Sequence, residues 1–303
     1  MSRYAEAHKS PCGPGDARPT AMQIIRDENL EGEMKDKIFL VTGARAFATT
    51  RSLEKGQNAC KAFLGPGRVE LLQLDTSSLS SVRAAAATFL EKSSTLNVLI
   101  CNAGVMHIPT REESPDGFEM QLATNYIGHF LLFWLLKDSM IKAAASSPTF
   151  ASRLVNDINL KGEGVYTPMK VYGQSKLAQI YMANYVDRHY GSRGLHALSL
   201  MPGGIFTDLQ RYVPKNITQR LRSNPDVLRI MKSAEQGAAT TVFAAVAKEW
   251  EGRGGKYLED CREAEPALGD VKWKGVREYV YDKSKDEKLW TRTLEMLGIK
   301  ESK

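Results

Sequence analysis

Cysteine is scarce in this sequence and poorly spaced for structural chemistry. Cys12, Cys60, Cys101 and Cys261 are far apart with no Cys-x-x-Cys pair, which argues against zinc and against a disulfide framework. The five histidines (8, 107, 129, 189 and 196) are equally dispersed, and no metal site is expected. The longest apolar run, Phe130 to Leu136, falls far short of the ~20 residues a bilayer span needs. Met1 to Asp16 is polar and lacks the apolar core of a secretory signal, so a cytoplasmic location is the expectation. The net charge is +6 and the pI about 9.0, but the basic residues are scattered without aromatic interleaving. Nucleic-acid binding is therefore not expected, and a membrane-surface role has only the pI in its favour. An anionic cofactor or plain solubility fits the excess charge.

The sequence does contain regular alternation. Lys37 to Gly43, Val69 to Asp75, Leu96 to Gly104, Arg153 to Asn156 and Leu195 to Met201 are short apolar runs closed by Gly, Asp, Asn or Pro. Such runs suit buried parallel strands. Between them lie helical patterns at 79–90, at 118–141 and from Tyr172 onward. Strands alternating with helices at this spacing predict an α/β fold, a doubly wound parallel sheet of Rossmann type. Residues 234–250 and 252–260 read as one more helix and a last strand. The expected organisation is an N-terminal arm with a short helix capped by Thr20 (1–36), one domain (37–281) and a charged, peripheral C-terminal tail (282–303). Ligands bind such sheets beyond the carboxyl ends of the strands, where Gly43, Asp75, Asn102, Asn156 and Pro202 fall.

Tyr-x-x-x-Lys occurs four times, at Tyr166, Tyr172, Tyr279 and Tyr281. Pro168 spoils the first as a helical pair, and the last two lie in a charged stretch. Only Tyr172 and Lys176 open an apolar-periodic helix, on which they stack one turn apart. An ammonium beside a phenol favours the phenolate and lowers the tyrosine pKa from about 10, making a proton donor and acceptor usable near neutral pH. The alternative is an ordinary helix-surface pair.

With Asn102-Ala103-Gly104, the Tyr172/Lys176 pair and Pro202-Gly203-Gly204-Ile205-Phe206-Thr207 in order on such a sheet, residues 37–261 resemble a short-chain dehydrogenase/reductase of the retinol-dehydrogenase-like, fungal-type branch. The resemblance implies hydride transfer between NAD(P) and a small carbonyl or secondary alcohol, with a role in secondary metabolism. It implies Tyr172 as acid/base, Lys176 as its pKa-lowering partner and ribose ligand, and Asn125 as anchor of a proton-relay water. Asp75 is implied beside the adenine, Asn102 beside the adenosine ribose, and Ile205 and Thr207 at the carboxamide and phosphates, with Gly43 in the cofactor turn. Plain structural roles remain open for several of these: strand-end caps for Asp75 and Asn102, a helix–helix contact for Asn125, an ordinary turn for 202–207. The family's second strand ends here in Thr50-Arg51, and a guanidinium suits a 2′-phosphate, so NADP is favoured over NAD. Helices 118–141 and 172–189 correspond to the family's dimer face, which implies homo- or hetero-oligomers. The loop after Thr207 would shape the substrate site.

Two departures weigh against these matches. The family has a glycine-rich turn after Thr42-Gly43, opening a helix whose N-terminus holds the pyrophosphate. Here no glycine follows until Gly56 and the second-strand sequence comes almost at once, so the first βαβ crossover is truncated. The family's catalytic serine after the fifth strand is also missing: Asn156 to Tyr166 contains neither serine nor threonine. Flanking sequence is ordinary on both sides of each gap, as expected for clean excision from an active reductase, in the transcript or in the predicted coding sequence. The expectation is weak or absent turnover, with a non-catalytic scaffold or partner subunit as the alternative.

Overall fold

The computed structural model describes residues 2–42, 47–62, 64, 69–147, 150, 152–157, 166–267 and 274–300, without the side chains of Phe47 and 155–157. A single eight-stranded sheet organises the chain. Its strands are β1 (Phe39–Thr42), β2 (Phe47–Thr50), β3 (Glu70–Gln73), β4 (Val98–Cys101), β5 (Ser152–Asp157), β6 (Leu195–Met201), β7 (Lys256–Glu259) and β8 (Arg262–Glu263). The order is β3-β2-β1-β4-β5-β6-β7-β8, parallel from β3 to β7, with β8 antiparallel. All four residues of β4 are buried, as a strand covered on both faces requires.

The helices are α1 (Ala21–Asp27), α2 (Leu53–Cys60), α3 (Leu79–Lys92), α4 (Met120–Leu122), α5 (Gly128–Ser146), α6 (Pro168–Tyr190), α7 (Lys215–Ser223), α8 (Pro225–Ile230), α9 (Ala234–Val246) and α10 (Lys283–Met296). On one face of the sheet α3, α5, α6 and α10 bury Phe89, Phe130, Met182 and Trp290 in one core. On the other, α1 and α9 bury Ile24, Phe243 and Trp250 against β1, β4 and β6. Thr20 caps α1 as expected, accepting a hydrogen bond from the Gln23 N–H. The helix predicted over 118–141 is interrupted by a π-turn, Ala123–Ile127, between α4 and α5. There a glycine is demanded: a Cβ on Gly128 would lie 2.0 Å from the Thr76 carbonyl oxygen in the turn after β3.

β1 and β2 pair in parallel, Leu40 opposite Phe47 and Thr42 opposite Thr49, with only four residues between them. A crossover between parallel neighbours ordinarily takes about a dozen residues or more and includes a helix. The first helix of the sheet domain, α2, therefore follows β2 rather than β1.

The N-terminal arm and the C-terminal tail, the latter read as peripheral from its charge, are both bound into the fold. In the N-terminal arm, Tyr4 packs edge-on to Phe243 at 5.9 Å. The buried Arg18 guanidinium donates to the carbonyls of Ile230 (2.9 Å) and Met231 (2.6 Å). The charged tail forms α10, whose Trp290 stacks on Tyr185 at 4.0 Å and meets Phe130 edge-on at 4.7 Å. Trp290, Thr293 and Leu294 make its buried stripe together with Asp286, whose carboxylate pairs with the Arg188 guanidinium of α6. Consequently the apolar run 130–136, read as a partner face, is largely covered by the chain's own C-terminus: Phe130, Leu131, Leu132, Phe133 and Leu136 are fully buried. Only Trp134 and Leu135 in that run remain partly open.

Candidate active site

Where the sheet order reverses, between β1 and β4, the carboxyl ends of two parallel strands diverge and leave a crevice. Thr42 ends β1 on its rim. Its hydroxyl accepts from the N–H groups of Asn102 (2.8 Å) and Ala103 (2.9 Å), the residues that follow β4. Asn102 Nδ2 in turn donates to the Thr42 carbonyl at 3.1 Å. These bonds hold Asn102-Ala103-Gly104 across the end of β1.

The π-turn carries Asn125 to the same place. Its Oδ1 accepts from Val105 N–H at 2.8 Å, and its Nδ2 donates to the Val105 carbonyl (3.0 Å) and to Ser175 Oγ (2.9 Å). Ser175 Oγ donates to the Tyr172 carbonyl at 2.7 Å. The Asn125 side chain is thus spent on joining the loop after β4 to α6. Pro168 occupies the first turn of α6, where its missing N–H costs nothing, and Tyr166 stays outside the helix. Tyr172 and Lys176 follow on the inner face, both buried, with the ammonium 5.8 Å from the phenol ring centroid. A Cβ placed on Gly104 would sit 3.1 Å from Asn125 Oδ1 and 3.7 Å from Lys176 Nζ. The absence of that side chain keeps the space beside the ammonium open.

His129 completes the cluster, and sequence inspection passed over it because a dispersed histidine suggested nothing. Its Nδ1 lies 2.8 Å from the Asn125 carbonyl and its Nε2 2.8 Å from Thr42 Oγ1. A carbonyl only accepts, so Nδ1 carries the proton and Nε2 accepts from the threonine hydroxyl. Burial holds the imidazole neutral, its pKa lowered to about 4, with the Lys176 charge acting in the same direction. The signal available beforehand was the four-residue spacing from Asn125, which puts the ring over that carbonyl.

The other expected site residues lie along the same carboxyl edge with local duties of their own. Asp75 Oδ1 accepts from Ser77 N–H (2.9 Å) and Ser77 Oγ (2.6 Å). Arg51 is exposed just past β2. Thr207 caps the turn Asp208–Tyr212 through a capping box with Gln210, and Ile205 packs against Gly237. Gly43 lies outside the described residues, as do the side chains of Asn156 and Asp157 and all of 158–165. Among the described residues no cluster of potential metal ligands occurs.

Residues 36–218 match the family model of the short chain dehydrogenases. The chain belongs to the short-chain dehydrogenase/reductase family. It is 47% identical to the short-chain dehydrogenase/reductase prx1 of Penicillium roqueforti, over 99% of this chain and 96% of that protein. It is 37% identical to the oxidoreductase calI of Penicillium decumbens, over 99% and 98%. It is also 31% identical to mouse retinol dehydrogenase 11, over 93% and 87%. Among solved structures, a Burkholderia cenocepacia gluconate 5-dehydrogenase in complex with NADP and tartrate shares the fold, with a TM-score of 0.54 at 20% identity over 70% of this chain and 83% of that one. The alignment to the Penicillium roqueforti family member runs over 331 positions, at least 28 more than this chain has residues. Those positions stand opposite gaps in this chain. Family membership makes it an oxidoreductase by descent. No described helix is long and apolar enough to cross a membrane.

Proposed function

We propose that this chain carries the proton-transfer apparatus of an NADP-dependent dehydrogenase/reductase for a small carbonyl or secondary alcohol, and that its own turnover is weak or absent. The observation carrying both halves is the pairing of an intact Tyr172–Lys176–Asn125 cluster with a β1–β2 interval of four residues. Tyr172 is the acid/base, its hydroxyl proton passing to or from the substrate oxygen. The Lys176 ammonium favours the phenolate, and Asn125 anchors the relay water. A nicotinamide, when bound, supplies or accepts the hydride.

The residues fit that cofactor unevenly. At the nicotinamide end the open side of Gly104 faces Lys176 and Asn125, with Ile205 and Thr207 on the following strand's exit. Asp75 and Asn102 stand at the strand ends where the adenosine would lie, and the exposed Arg51 suits a 2′-phosphate. For the pyrophosphate, however, the four residues that separate β1 from β2 are too few to supply a crossover helix with its N-terminal N–H donors and dipole. The loss of the serine after β5 removes a donor to the substrate oxygen as well.

Titration of the purified protein with NADPH, followed by nucleotide fluorescence, tests this reading. No saturable binding is expected at micromolar nucleotide; a micromolar dissociation constant would show that the phosphates find another cradle. Sequencing the transcript separates a chain shortened in the cell from one shortened only in the predicted coding sequence. A message containing a glycine-rich segment after Thr42 would move the proposal to the longer protein.

A further inference from the structure

Half of the large apolar side chains exposed among the described residues lie in one short stretch. Tyr212, Ile217, Leu221, Leu228 and Ile230 are each 38–45% exposed, whereas Met22, Leu53, Leu90, Met169 and Tyr279 are scattered over the rest of the sequence. Neither α7 nor α8 contains a buried residue. On α7, Ile217 and Leu221 stand one turn apart and so share a face, with Lys215, Arg220 and Arg222 off that stripe. Over 208–230 the cations are Arg211, Lys215, Arg220, Arg222 and Arg229, against Asp208 and Asp226 alone.

This segment is anchored at both ends. Before it, the capping box of Thr207 and Gln210 fixes the turn at Asp208, and the Arg222 guanidinium stacks over Phe206 at 4.2 Å. Behind it, Arg18 holds the Ile230 and Met231 carbonyls. The buried Lys232 ammonium donates to the Pro202 carbonyl at 3.0 Å and to Asp260 at 2.9 Å. The apolar residues are thus presented outward on a tethered platform.

We infer that α7 and α8 form a docking surface for an anionic lipid bilayer. An apolar stripe flanked by long basic side chains is suited to the lipid interface, where the stems lie along the acyl boundary and the charges reach the headgroups. The five cations complement a negatively charged leaflet. None of the docking surface's groups belongs to the Tyr172 cluster, although the family resemblance gives the same loop to the substrate site, and vesicle binding is read without turnover.

The test is co-sedimentation of the full chain with phosphatidylcholine vesicles, with and without phosphatidylserine. Binding is expected only with phosphatidylserine present, and weakened by salt. The double variant Arg220→Gln/Arg229→Gln should bind about thirtyfold more weakly. Ile217→Asp/Leu221→Asp should lose about tenfold or more. Both variants change exposed residues, and an unchanged far-ultraviolet circular dichroism spectrum confirms that they fold. Absence of binding to the anionic vesicles, equal binding to neutral ones, or wild-type binding by both variants would each overturn the proposal.

Discussion

His129 Nε2 lies 2.8 Å from Thr42 Oγ1, and that contact ties the end of β1 to the helix behind Asn125. The threonine hydroxyl accepts two backbone N–H groups and gives its one proton to the imidazole, at a shorter distance than to the Ile100 carbonyl at 3.2 Å. Thr42→Val removes every one of these bonds and takes the partner from the Ala103 N–H and from the buried His129 Nε2, at about 1–3 kcal/mol for each. Thr42→Ser keeps the hydroxyl and should cost about 1 kcal/mol or less. Urea unfolding of both variants distinguishes a hydrogen-bonding hub from a merely well-packed residue, for which valine would be the milder change.

The same histidine makes stability depend on pH. Its ordinary pKa of 6.5 falls to about 4 in the fold, so the folded state resists a proton that the unfolded chain accepts. The stability present above pH 6.5 is therefore lost as the pH falls toward 4, by about 3 kcal/mol in all. Urea midpoints should drop more steeply over this range for the native chain than for His129→Gln. Equal slopes would mean that other groups carry the acid sensitivity.

Tyr172→Phe removes one oxygen from a buried ring and leaves the carbonyl that accepts from Ser175 in place. Stability should change by about 1 kcal/mol or less. Any carbonyl reduction detected with the native chain should fall at least about a hundredfold. Retention of that activity in the variant would remove Tyr172 from the acid/base role.

Trp290→Ala opens the core between α10, α5 and α6. A cost of about 3–5 kcal/mol is expected, read as a lowered urea midpoint. Light scattering on the same variant checks whether uncovering Phe130 and Tyr185 produces self-association. A loss near zero would mean that α10 is only lightly docked.

Hydrogen exchange compares the two sides of the switch point. The amides of 38–42 and 47–50 should exchange faster than those of 98–101, because β1 and β2 lack the crossover helix that would cover them. Equally slow exchange on both sides would contradict that reasoning.

The sheet, its parallel sense and the line of residues at its carboxyl edge were legible in the sequence, because each buried strand is a continuous apolar run and the period changes from strand to helix in place. Tyr172 and Lys176 were singled out of four equal spacings by the apolar-periodic helix on which they lie, which begins one turn earlier than expected, at Pro168. The truncated first crossover was legible too, since no folding can add residues between Thr42 and Phe47. The burial of α10 was not: Trp290 and Leu294 are diluted by charges, and composition cannot tell a solvated helix from one whose single stripe finds a core. Nor did Asn125, His129 and Thr42 announce themselves as one network. Apart from the four-residue step from Asn125 to His129, their bonds join residues 20 to 87 positions apart, and only the packing of β1, β4 and the π-turn brings them within reach. Local pattern is written along the chain, whereas a buried polar cluster exists only where separate elements must satisfy one another away from water.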